Sequence, residues 1–172
     1  MTFFERRFHQ LLYGLMMLVA ASIASIALLI PLNLLLVKMQ WGNLWWLHEA
    51  VEYALYVGVF LGAPWVLHQG AHVRVDVLTS ALPTGAAIRL EQFVDGAATL
   101  LCTALAVYGT RMAISEFEDG TLPDKDLRIP TWYMMVVFAF AFALLAVEFV
   151  LRAWRAPEIV ARERSGDVGA SL

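Results

Sequence analysis

The sequence predicts an all-α integral membrane protein: four transmembrane helices, a short interfacial amphipathic helix between the second and third, and both termini cytoplasmic. Three observations carry this expectation. First, 60% of the 172 residues are hydrophobic and only 16% charged, and the mean hydropathy is +0.68. That leaves too little polar side chain to cover a soluble domain of this size. Second, four apolar stretches, 11–37, 50–67, 93–112 and 132–151, approach or exceed the ~20 residues that carry a helix across the hydrocarbon core. Third, tryptophans bracket two of them. Trp46 to Trp65 and Trp132 to Trp154 correspond to ~29 and ~33 Å of helix, the separation of two interfaces where indole rings collect. The expected organisation is a four-helix transmembrane domain over 1–156 and a polar, disordered cytoplasmic tail over 157–172.

The first span follows Arg6 and Arg7, a pattern superficially like a signal peptide. Its run to Val37 is too long for a signal core, so it reads as a retained anchor. Pro31 and Asn33 suggest a kink or an early exit from helix. The second span carries one formal charge, Glu52. On a helical wheel Ala50, Ala54, Gly58 and Gly62 form a stripe of small side chains, with Glu49, Glu52, Tyr53 and Tyr56 roughly opposite. Neither flank suits lipid, so this helix should be wedged between a sibling helix and a foreign chain. In the following connection Asp76 can cap a short helix with Val77, Leu78, Ala81 and Leu82 on one face, ended by Pro83. That piece should lie along the inner membrane surface.

Arg89, Glu91, Gln92 and Asp95 continue a helical pattern with Ile88, Phe93 and Val94, so the third helix should begin before its lipid span. Within the span Ala98, Cys102, Ala106 and Thr110 form a second small stripe, expected to face the first, because close backbone approach supplies attraction in lipid. The next connection is the most acidic part of the chain, with Glu116, Glu118, Asp119, Asp124 and Asp126 against Lys125 and Arg128. Pro130 and Trp132 open the last helix, and Glu148 and Arg152 are placed for an i, i+4 pair. Of the 12 Lys and Arg, those at 6, 7, 74, 89, 152, 155, 162 and 164 fall on the inner side of this topology. Lys38, Arg111, Lys125 and Arg128 fall outside, a bias that favours inward termini.

The net charge of −3 argues against nucleic acid, and a single cysteine, Cys102, excludes an oxidoreductase that needs several thiols. Glu49 and Glu52 fit either an ion-coupling site or a structural or partner contact, and their first-turn position favours the latter. His68, His72 and Asp76 could bind a metal on one helix face, but Gly70 breaks that face and interfacial hydrogen bonding is the better reading. His9, His68 and His72 also raise a bis-histidine haem, against which all three stand near span ends. No phosphate loop, nucleophile elbow or zinc-protease motif is present, and no cofactor or metal is expected. The spans hold too few polar groups to carry a hydrophilic solute alone, which favours an accessory subunit.

The central stretch resembles the small membrane subunit of tripartite ATP-independent periplasmic (TRAP) transporters, the DctQ-like family. The residues that carry the resemblance are Trp46, Glu49 and Tyr53, then Phe60-Leu61-Gly62-Ala63, then Gly70 to Asp76 and Leu82-Pro83, then Ile129-Pro130 before Trp132. The resemblance implies a non-enzymatic scaffold in the bacterial inner membrane. It would support a large elevator subunit in ion-gradient-driven, binding-protein-dependent uptake of an organic acid. Implied contacts to the large subunit are Glu49, Glu52, Tyr53, Tyr56, His72, Arg74 and Asp76. The acidic connection, Glu116 to Asp126, is the implied docking surface for the periplasmic binding protein. A self-sufficient small transporter and a haem-binding redox subunit are the competing classes.

Overall fold

The structure, a computed structural model, describes residues 3–69, 83–125 and 127–170, with side chains from Glu5 to Pro157. Among the described residues there are four helices: α1 (Phe3–Lys38), α2 (Leu47–His68), α3 (Thr84–Asp119) and α4 (Trp132–Ala170). All four contain stretches long and apolar enough to cross a membrane. In hydrocarbon every backbone polar group must be satisfied within the protein, and a helix does so within a single apolar run. The same requirement explains their few hydroxyls. Ser22, Ser25, Thr99, Thr103 and Thr110 each donate to a carbonyl three or four residues back at 2.8 Å, so each hydroxyl is satisfied inside its own helix.

The helices outrun the apolar spans. At 36 residues, α3 is ~54 Å long, well beyond a ~30 Å hydrocarbon core. It starts at Thr84, ahead of its span as expected, and stops at Gly120, whose left-handed φ of 62° suits a residue without a Cβ. The last helix continues past Leu151 and through Pro157 to Ala170, where an irregular tail was expected. Pro31 does not end α1 either, because the helix runs on to Lys38.

Asn33 has a different task from helix breaking. It is buried, and its Oδ1 accepts the backbone N–H of Leu44 at 2.8 Å, fastening the α1–α2 turn to the side of α1. An Asn33→Ala variant leaves that N–H without its acceptor. Thermal unfolding in detergent should register a loss of about 1–2 kcal/mol.

Packing forms two hairpins, α1 on α2 and α3 on α4, joined by α2 against α4. Three buried clusters tie them together. Phe8 and Leu12 of α1 meet Leu144 and Leu151 of α4; Val19, Leu61 and Ala141 join α1, α2 and α4; Leu67, Cys102 and Leu145 join α2, α3 and α4. Large apolar side chains on the outer flanks, among them Leu28 and Leu34 of α1 and Phe93 and Leu100 of α3, stay exposed.

The two small-residue stripes do not face each other as expected. A Cβ built on Gly58 lies 3.4 Å from Val19 of α1, and one built on Gly62 meets nothing within 4 Å. Ala54, Ala98 and Ala106 are half-buried, and Cys102 is buried between Leu67 and Leu145. A four-residue stripe specifies a smooth face without naming its partner. Here α2 packs chiefly on α1 and α4, and α3 on α4. Among the described glycines the tightest contact is elsewhere: a Cβ on Gly109 of α3 would sit 2.6 Å from Cδ1 of Phe138 on α4. The expected interfacial helix, with His72, Arg74 and Asp76, lies outside the described residues.

Candidate functional site

No Asp, Glu, Lys or Arg occurs in 10–37, 53–67, 96–110 or 133–147. The charged side chains therefore gather towards the two ends of the helices, and each end has its own network.

At one end the α3–α4 connection folds over the start of α2. Glu49 Oε2 accepts the Leu127 backbone N–H at 2.6 Å, and Lys125 Nζ donates to Glu52 Oε2 at 2.5 Å. The same ammonium stands 5.1 Å from the Tyr53 ring centroid. Tyr56 donates its hydroxyl proton to the Met134 carbonyl at 3.2 Å. All four residues of the acidic–aromatic flank are thus engaged by this chain itself, although the Glu52 side chain remains 64% exposed. The hydrogen bond to Glu52 raises the Lys125 pKa above the usual lysine value. An open cavity of about 590 Å³ is lined by Glu49, Pro123, Asp124, Lys125 and Arg128. Beside it Glu118, Asp119 and Asp124 are exposed, and the Glu116 carboxylate accepts from the Thr121 hydroxyl. Asp126 lies outside the described residues.

The other end is more deeply built. Arg152 of α4 donates from Nη2 to Glu91 Oε2 at 2.7 Å, and its Nε stands 3.3 Å from Asp95 Oδ1. One turn along α4, Glu148 Oε1 accepts from Arg155 Nη2 at 2.8 Å and lies 3.0 Å from His68 Nδ1 of α2. Glu91, Asp95 and Glu148 are 8%, 1% and 2% exposed. Buried carboxylates persist only where cations and hydrogen bonds compensate them, and the two guanidiniums supply that. The i, i+4 pair expected between Glu148 and Arg152 is not formed. Arg152 crosses to α3, and Arg155 takes Glu148 from two turns along the same face.

His9 of α1 completes the group, its ring centroid 3.9 Å from that of His68. One ligand atom each from His9, His68 and Glu148 falls within 4.8 Å of the others, so among the described residues this cluster could hold a metal; the expected set of His68, His72 and Asp76 lies partly outside them. The contact between the imidazoles leaves no slot for a macrocycle between them, which argues against the haem reading. Sequence reasoning missed Glu91, Asp95 and Arg155. The signal available was the i, i+4 spacing of Glu91 and Asp95, two like charges on one helix face that repel unless a cation from elsewhere sits between them.

Against known families, residues 37–157 match the model described as tripartite ATP-independent periplasmic transporters, DctQ component. The chain belongs to the DctQ family. This DctQ-family chain is accordingly a multi-pass membrane protein and a TRAP transporter component, and the family is not one of enzymes. Comparison with curated proteins and with solved structures yields no match. The matched region holds α2, α3, both ends of the Lys125–Glu52 contact and the Arg152 network, but it begins after His9.

Proposed function

We propose that this DctQ-family chain is the static scaffold of a TRAP transporter in a bacterial inner membrane, with both termini cytoplasmic. It braces a large membrane subunit that moves solute, while a periplasmic binding protein delivers an organic acid and an ion gradient drives uptake. The observation that carries this reading is the charge-free middle of all four apolar spans. A hydrophilic anion crossing by this chain alone would meet no compensating group at mid-membrane depth, where substrate sites of secondary transporters are built. The polar groups present at the ends bind one another across helices, as suits a rigid support. In this reading the exposed edge formed by Glu52 and Lys125, with Tyr53, contacts the large subunit, together with His72, Arg74 and Asp76. The acidic connection from Glu116 receives the binding protein.

Co-expression with a large multi-span TRAP subunit tests the proposal. The two chains should co-purify through a tag on either one. Vesicles containing both, supplied with binding protein and an inward ion gradient, should accumulate solute from a panel of carboxylates and sulfonates. Saturable uptake by vesicles holding this chain alone would overturn the scaffold reading.

A further inference from the structure

We infer that His9, His68 and Glu148 form a binding site for a divalent transition-metal ion of the zinc class, clamping α1 to α2 and α4. Three helices bring the residues together from distant parts of the sequence, and the candidate ligand atoms lie within 4.8 Å of one another. Two of the groups carry buried atoms that no group among the described residues satisfies: Nε2 of His9 and Oε2 of Glu148. A buried imidazole nitrogen and a buried carboxylate oxygen left open in one cluster point to a missing partner. Two imidazoles and one carboxylate are a donor set that zinc accepts with a fourth position left for water.

The surroundings suit a ligand carboxylate. Arg155 holds Oε1 of Glu148 at 2.8 Å, which fixes the group and leaves Oε2 for the ion. Hydrogen bonds of this kind orient metal ligands generally. Ligand atoms at zinc distances of 2.0–2.2 Å stand about 3.3 Å apart, so atoms that lie within 4.8 Å of one another need close by no more than about 1.5 Å. His9 can supply most of that movement by side-chain rotation, because its Nε2 has no hydrogen bond to give up. The positive charge of Arg155 opposes the ion and sets a ceiling on affinity. The competing occupant is a water molecule bridging the two open atoms.

The test uses the full chain in detergent, purified without a polyhistidine tag, stripped with EDTA and titrated with zinc by calorimetry. The parent chain should take up one equivalent saturably, and zinc should raise its unfolding temperature. Cobalt in place of zinc should give the visible absorption of a low-coordinate site. His9→Ala should weaken zinc binding by more than about 100-fold, since losing an outer hydrogen-bond partner alone costs 10–100-fold. His9→Gln is the second variant, should the first fold poorly. His48→Ala, altering an exposed histidine at the far end of α2, should bind like the parent. Absence of saturable zinc binding by the parent chain would overturn the site in favour of water. Parent-like binding by both His9 variants would overturn it equally.

Discussion

An Arg152→Met variant should unfold well below the parent chain, with a stability loss of about 3–5 kcal/mol, the range for removing one partner from a buried ion pair. Methionine fills much of the same volume, so the loss reports charge rather than a cavity. The parent guanidinium reaches Glu91 at 2.7 Å and Asp95 at 3.3 Å through different nitrogens. Both carboxylates are almost entirely buried. Without the cation they face each other at i, i+4 on α3 in a region of low polarity, where repulsion is poorly screened. Arg152→Lys should recover only part of the loss, since one ammonium cannot reproduce a fork that spans two carboxylates. Thermal unfolding of the three proteins in the same detergent decides it, and equal midpoints for Arg152→Met and the parent would contradict the assignment. Because this network joins α3 to α4, the methionine variant should also lower the yield of any complex with the large subunit.

How far the sequence could lead depended on the range of the interaction. The four spans were legible because hydropathy is a local sum, and the early start of α3 was legible from the helical period of Ile88 to Asp95. Helix ends were less so. Pro31 and Pro157 are breakers by local rule, yet α1 and α4 pass through both; at Pro31 a proline removes one ladder bond while helix remains the favoured state of an apolar run. Charge pairing failed for a different reason. The i, i+4 rule joined Glu148 to Arg152, but each side chain found a partner on another helix, His68 and Glu91 respectively. No local spacing could anticipate that residues 9, 68 and 148 share one cluster. The flank bearing Glu49 and Tyr56 was expected to lie against a foreign chain. Its cover among the described residues is the α3–α4 connection and the first turn of α4.

Gly109→Ala and Gly58→Ala should differ in sign, which separates a glycine that permits close approach from one that does not. Replacing glycine by alanine within a helix favours folding by about 0.8–1.0 kcal/mol before any contact is counted. At Gly58 the new methyl would stand 3.4 Å from Val19 Cγ1, the edge of ordinary contact, so the propensity gain should survive as a neutral or slightly stabilised protein. At Gly109 it would stand 2.6 Å from Cδ1 of Phe138 and 3.3 Å from Cβ of Ala139. The ring cannot yield freely. Phe138 packs edge-on against Phe60 with centroids 5.4 Å apart and lies 4.6 Å from Phe142, and Phe60 in turn meets Tyr56 at 4.6 Å. Moving the ring disturbs the aromatic contacts that hold α2 to α4, or else drives α3 away from α4. Overpacking of this kind costs about 1–3 kcal/mol, which exceeds the propensity gain over most of that range, and Gly109→Leu should cost more. In lipid, where no hydrophobic drive holds helices together, lost van der Waals contact falls directly on association. The effect should therefore appear both in the unfolding temperature and in susceptibility of the α3–α4 connection to protease. If Gly109→Ala matched Gly58→Ala in both measurements, the close approach of α3 to α4 at this level would be refuted.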